Sequence, residues 1–147
     1  MNAKSVIIFL VLVLVVIAGF FAFNYFKNSN KYSLTSSNEM NPSDFLFPGG
    51  ITQVQETYTD GQISYAVRVM QFSDEASAVD GITKLTDLYN PAMIGLATKY
   101  VKYKELSPGS QSYFYKSGKY IIYITLSGDK GLGDSFVMWY YSKYPNK

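Results

Sequence analysis

Residues 51–72 read ITQVQETYTDGQISYAVRVMQF. From Gln62 to Phe72 the side chains alternate: Ile63, Tyr65, Val67, Val69 and Gln71 fall on one face, and Ser64, Ala66, Arg68, Met70 and Phe72 on the other. A period of two is the mark of a half-buried strand. Residues 51–58 alternate more weakly, and Asp60-Gly61 between the two runs is a turn pair whose central positions tolerate positive φ. This stretch predicts an antiparallel hairpin, and the fold builds outward from it.

Downstream, Ser73 is a candidate N-cap, and Asp74 and Glu75 suit the positive end of a helix dipole. Ala78, Val79, Ile82, Leu85, Leu88 and Tyr89 then recur at helical spacing until Asn90-Pro91. The expectation is a helix over 74–89 with one apolar stripe lying on the sheet. The connection Pro91–Thr98 is apolar and suits a short helical turn. Residues 99–106, 111–116 and 119–126 read as a three-strand meander, with Ser107-Pro108-Gly109-Ser110 and Ser117-Gly118 as its turns. The segment Ser127–Asp134 (SGDKGLGD) reads as a Gly-rich loop. Ser135–Tyr144 (SFVMWYYSKY) is open to helix or strand and leans to helix. The order β-β-α-β-β-β-(α/β) predicts an α+β domain over 45–147: a small antiparallel sheet with one helix packed on it.

Upstream, Ser5–Phe23 (SVIIFLVLVLVVIAGFFAF) is 19 residues without a charge. At ~1.5 Å per residue a helix of this run reaches about 28 Å, close to the ~30 Å hydrocarbon core of a bilayer. A lone span must be helical, because in lipid the backbone satisfies its own hydrogen bonds. The reading is a transmembrane anchor over 1–27. Phe20, Phe21, Phe23, Tyr25, Phe26 and Lys27 gather at its membrane–water interface, and Ala18 and Ala22 form a small-xxx-small packing face. A cleaved signal peptide is the competing reading, with Val16-Ile17-Ala18 as the cleavage triplet, but the apolar run continues past Ala18. Lys4 and the terminal amine nearly balance Lys27 and Lys31. A head rich in Tyr, Ser, Thr and Gly and free of Cys favours a cytoplasmic N-terminus and an extracytoplasmic domain. Residues 28–44 are rich in Ser and Asn, without apolar periodicity, and read as a flexible linker. Phe45-Leu46-Phe47 then reads as a docking plug or as the first edge element of the domain.

Composition narrows the chemistry. The chain has 147 residues and contains no Cys and no His, which removes thiolate and imidazole nucleophile–base pairs, disulfides and the usual zinc ligands. No GxSxG, HExxH or GxGxxG occurs, and Gly128–Gly133 lacks the Lys-Ser/Thr of a P-loop. Asp129 and Asp134 flank a Gly-rich run but lack the ligand spacing of a calcium loop. No catalytic residue, metal site or cofactor is expected, and the protein is not read as an enzyme. Lys99, Lys102, Lys104, Lys116 and Lys119 are interleaved with Tyr100, Tyr103, Tyr113, Tyr115, Tyr120 and Tyr123, which on its own suits stacking of nucleic-acid bases. From Tyr32 to Lys147, however, ten Lys/Arg face eleven Asp/Glu, a net of −1, so no basic field supports that use and no nucleic acid is expected.

The expected function is that of a non-catalytic, single-pass, signal-anchored accessory subunit, its outer domain docking on a larger membrane or envelope protein assembly. Its partners are the lipid bilayer and other membrane or envelope proteins, as homo- or hetero-oligomer. Lys102, Lys104, Tyr113, Tyr115, Trp139 and Tyr140 are the expected contact residues, since Tyr and Trp dominate interface hot spots. Two alternatives stand beside it. A pilin-like filament subunit shares the plan of apolar helix and strand-rich head, but Met1–Ser5 has no Gly and the first turn of the helix has no acid. A membrane-tethered binding module would use a Tyr/Lys-rich sheet face.

Overall fold

The computed structural model describes residues 11, 13–19, 31–45, 48–93 and 101–143, in two compact units, 1–32 and 33–147. In the first unit, Val11 and residues 13–19 are helical and exposed. No helix among the described residues is long and apolar enough to cross a membrane. Ala18 lies on this helical stretch; Phe20, Phe21, Ala22, Phe23, Tyr25, Phe26 and Lys27 lie outside the described residues.

The second unit is an antiparallel sheet with two helices. Its strands are β1 (Ser33–Glu39), β2 (Thr52–Thr59), β3 (Ser64–Gln71), β4 (Ala92–Met93), β5 (Lys102–Ser107), β6 (Ser110–Ser117) and β7 (Tyr120–Ser127). The helices are α1 (Glu75–Tyr89) and α2 (Lys130–Lys143). Spatial order is β1-β2-β3-β7-β6-β5-β4, so two meanders meet where β3 pairs β7. The α1 crossover carries the chain from the first meander to the far edge of the second.

The hairpin read from residues 51–72 is present, with Thr59 opposite Ser64 and four residues between. Only Gly61 takes positive φ there. Asp60 stays on the ordinary side because its carboxylate organises the loop. Its Oδ1 accepts from the Gln62 and Ile63 N–H groups, and its Oδ2 from the Tyr65 hydroxyl at 2.7 Å. Burial pushes this carboxyl up, the hydrogen bonds from Ile63, Tyr65 and Gln62 outweigh it, and its pKa lies below the ordinary value.

Strand register places the side chains on two faces. Tyr65, Val67, Tyr113, Tyr115, Ile122, Ile124 and Leu126 share the front face. Met70, Phe114, Ile121 and Tyr123 share the back face. Helix α1 covers part of the back: Ala78 and Leu85 are buried against Met70, Phe72, Phe114, Ile121 and Tyr123. Full burial of one such side chain contributes ~1.5–3 kcal/mol. Helix α2 covers the front: the Phe136 ring stacks on Tyr65 with centroids 4.2 Å apart. The expectation of one helix on one face is therefore corrected to one helix on each face, which is why β3, β6 and β7 carry apolar side chains in both directions.

Four further expectations change. Residues 33–39 of the segment read as a flexible linker form β1, paired with β2 from Ser33 opposite Thr59 to Glu39 opposite Val54. Serine and threonine hide such a strand from hydropathy, yet Thr35 Oγ1 donates to the Thr57 carbonyl at 3.0 Å. The N-cap of α1 is Asp74, which accepts from the Ser77 N–H at 2.7 Å, and not Ser73. Of the apolar connection after Pro91, Ala92–Met93 pair with β5 as a strand, and residues 94–98 lie outside the described residues. Helix α2 begins at Lys130, so Gly131 and Gly133 of the expected loop are helical.

Gly133 explains why a helix tolerates that composition. A Cβ there would lie 2.8 Å from Tyr113 Cε2 and 2.9 Å from Cζ. Gly81 on α1 is similarly placed, with the tip of Ile121 at 2.9 Å and the buried Phe72 ring at 3.0 Å from where a Cβ would lie. Gly133→Ala is expected to destabilise the fold by ~1–3 kcal/mol, an overpacking cost larger than the helix-propensity gain of ~1 kcal/mol. Urea unfolding of the full chain followed by Trp139 fluorescence checks this; equal stability of wild type and Gly133→Ala contradicts the close-approach reading.

Candidate functional site

The densest polar cluster lies where the second meander enters α2. Asp129 Oδ1 accepts from the Leu132 N–H at 2.9 Å and starts the helix. One turn on, Lys130 Nζ pairs with Asp134 Oδ2 at 2.5 Å, an i,i+4 ion pair. The buried Tyr113 hydroxyl donates to Asp134 Oδ1 at 2.8 Å and lies 3.2 Å from the Lys130 carbonyl. Lys130 Nζ also stands 5.0 Å over the Tyr103 ring. The Tyr103 hydroxyl donates to Gln111 Oε1, and the buried Gln111 reaches the Gly128 carbonyl at 3.4 Å.

Electrostatics assign this cluster a structural task. Burial, then the hydrogen bond to Asp134, pushes the Tyr113 phenol far above its ordinary range. Burial likewise raises Tyr103. Neither phenol is poised as a base or a nucleophile. The two carboxylates weighed as calcium ligands are committed, Asp129 to the helix cap and Asp134 to Lys130 and Tyr113. Among the described residues no group of three Asp or Glu side chains converges as a metal site would require.

A second cluster is aromatic. Tyr58 packs within 5.8 Å, centroid to centroid, of Phe136, Trp139 and Tyr140. Glu56 Oε2 accepts from the Tyr58 and Tyr140 hydroxyls, each at 3.0 Å. Trp139 stays half-exposed at the rim, with Lys143 Nζ 3.9 Å over its ring.

The six expected contact residues do not form one patch. Tyr113, Tyr115 and Tyr140 are buried on the front side beneath α2 and are core residues, not contacts. A tyrosine that caps a buried polar network and one that waits for a partner look alike in sequence. Trp139 is accessible on α2. Lys102 and Lys104 are half-exposed on the opposite side of the sheet, since they pair across to Phe114 and Ser112 of the back face.

That back face carries the residue the contact set lacked. Arg68 pairs across to Gln55 and Tyr123, so it shares the face of Lys102, Lys104 and Lys116. By the same registers Glu39, Glu56 and Glu105 point to the front. The sheet thus sorts its charges: every strand cation lies at the back and every strand carboxylate at the front. Lys116 is held by Glu75 of α1, whereas Arg68, Lys102 and Lys104 have no ion pair among the described residues.

Two shallow cavities offer less. One of about 310 Å³ on the front is lined by Val69, Ser117, Tyr120 and Ile122 and holds no carboxylate or amine. One of about 400 Å³ beside α1 has Asp80 and Lys84, which pair with each other. Comparison of the chain with family models, with curated proteins and with solved structures finds no match.

The buried phenols make stability pH-dependent at the alkaline end. Tyr123 is pushed up to about 12, by burial first and then by Tyr89; Tyr113 is raised further. Above the ordinary value of 10.0 the unfolded chain releases these protons while the folded chain keeps them, so stability falls as pH rises. Each such tyrosine lowers it by about 1.4 kcal/mol per pH unit above 10. Thermal melts between pH 9 and about 11.5 should show this decline, and Tyr123→Phe should flatten it. A decline unchanged in Tyr123→Phe and Tyr113→Phe assigns it to other groups.

Proposed function

We propose that the chain is a non-catalytic, single-pass membrane-anchored interaction subunit, N-terminus in the cytoplasm, whose domain from Ser33 onward docks on a larger membrane or envelope assembly. The observation that carries the reading is the charge-free run Ser5–Phe23, which lies only ten residues before Ser33. Nineteen residues without a charge, nearly all of them apolar, are long enough to span a bilayer as a helix.

Support also comes from what the head does with its chemistry. Most of its buried tyrosines are spent on packing and on holding α2, and Asp60, Asp74, Asp129 and Asp134 on a loop, caps and an ion pair. What remains accessible is a sorted set of surface charges and the Trp139–Lys143 rim, which are groups suited to recognition.

Three measurements test the reading. Alkaline carbonate extraction of membranes should leave the chain in the pellet, and protease added to intact cells or spheroplasts should digest the domain. On native gels in mild detergent it should migrate in an assembly heavier than its own 16.5 kDa. Release of the intact chain by carbonate, or migration as a lone monomer across several mild detergents, removes the basis of the proposal.

A further inference from the structure

Asp-Gly occurs twice in the chain, at Asp60-Gly61 and Asp80-Gly81. This dipeptide is prone to spontaneous isomerisation, because glycine has no Cβ to shield its backbone nitrogen from the preceding carboxyl. The nitrogen loses its proton and attacks the aspartate Cγ. A C–N bond forms as a carboxyl C–O bond breaks, and water leaves. Water then opens the cyclic succinimide at either carbonyl, which returns aspartate or gives isoaspartate. Nothing is oxidised or reduced. Asp80-Gly81 lies within α1, where Gly81 is buried and Asp80 pairs with Lys84 at 2.6 Å. Asp60-Gly61 lies in the β2–β3 loop, with Gly61 exposed and Asp60 half-buried, open to the water that the second step consumes.

We propose that Asp60-Gly61 is a latent isomerisation site that its loop keeps closed, with the Tyr65 hydroxyl as the latch. Each group that the reaction uses is already engaged. The Gly61 N–H, whose proton must go, donates to Thr59 Oγ1 at 3.0 Å. Asp60 Oδ1 accepts from the Gln62 and Ile63 N–H groups at 2.9 and 3.0 Å, and Oδ2 from the Tyr65 hydroxyl at 2.7 Å. The ring closes only if the carboxyl turns from these donors onto the Gly61 nitrogen. The same donors keep the group ionised: burial pushes its pKa up, and the hydrogen bonds from Ile63, Tyr65 and Gln62 outweigh it. A carboxylate, unlike a carboxylic acid, offers no leaving group. Gln62 and Ile63 belong to the loop and move with it. Tyr65 belongs to β3, is fully buried, and stacks on Phe136 of α2 with centroids 4.2 Å apart. The latch is therefore fixed to the core, and Asp60 is protected while α2 holds Tyr65 in place.

Once formed, isoaspartate does not fit this turn. It routes the main chain through Cγ and so adds one carbon to a loop that closes with Thr59 opposite Ser64. The carboxylate left as the side group is attached directly to Cα, too short to reach Tyr65 while also serving Gln62 and Ile63. A transient loosening of α2 would thus be recorded covalently in the loop.

The test incubates the full chain at neutral pH in mild detergent, folded and in concentrated urea. Trypsin then places the two Asp-Gly pairs in separate peptides, 32–68 and 69–84, and electron-based fragmentation in a mass spectrometer counts isoaspartate in each. Asp60 of the folded wild type is expected to isomerise at least about tenfold more slowly than in urea, and Tyr65→Phe to raise the folded rate about tenfold, with Asp80 unchanged. Thr59→Val, which removes the acceptor of the Gly61 N–H, should raise Asp60 alone as well. Circular-dichroism melts show that each variant is folded. Equal rates at Asp60 with and without urea, or an unchanged rate in Tyr65→Phe, overturn the proposal. So does a rise at Asp60 that Asp80 matches, which assigns the effect to global opening. Should Tyr65→Phe not fold, Thr59→Val decides in its place, and an unchanged Asp60 rate there is equally fatal.

Discussion

The ladder between β3 and β7 is the constraint from which the rest of the domain follows. It joins Tyr65 to Leu126 at one end and Gln71 to Tyr120 at the other. Partners 49 to 61 residues apart in sequence meet here, and no local signal enforces the meeting. What enforces it is burial. Both strands are apolar toward both layers: Val67 and Ile124 face α2's side, Met70 and Ile121 face α1's side, and all four are fully buried. Neither meander can bury both of its faces alone, so each completes the other's core. The chain-entropy cost of closing so long a loop is repaid only when the two helices settle on opposite sides.

Legibility in the sequence followed locality. The β2–β3 hairpin, α1, and the β5–β6–β7 meander were readable because alternation, helical spacing and Pro108-Gly109 or Gly118 turns are properties of neighbouring residues. Strand β1 was not readable: SLTSSNE is exposed on every residue, so it carries no apolar period, and it is a strand only because β2 offers it a partner. The start of α2 was hidden for a different reason. Gly131 and Gly133 argue against a helix by propensity, but Gly133 is there because the Tyr113 ring occupies the space a side chain needs. Alternation had already put Arg68 opposite Tyr65 and Val67. That it shares a face with Lys102 and Lys104 depended on strand order, which local patterns do not encode.

The same distinction separates the tyrosines that stabilise from the residues that recognise. Fourteen Tyr invite a reading as a contact surface. The fold uses many of them differently. Tyr58 and Tyr140 share Glu56, Tyr113 locks Asp134, and Tyr65 closes the Asp60 loop. A phenol gives a small domain a large apolar ring and one hydrogen bond in the same side chain, which suits a core only two helices and one sheet deep. Charges could not be used that way without partners, so they were left at the surface, where register divided them by sign.

That division bears on how the domain engages another protein. A sheet can accept a partner along its edge or on its face. The β1 edge is exposed and lacks Lys and Pro, yet its register shifts between Leu34 and Ser36, so the edge hydrogen-bonding groups are out of step for a long incoming strand. At the other edge, β4 is two residues long and β5 shifts register between Glu105 and Ser107. Both edges are blunted in the manner of proteins that avoid indiscriminate strand pairing. Edge pairing draws its affinity from main-chain groups that all chains possess, whereas a face with sorted charge discriminates by side chain.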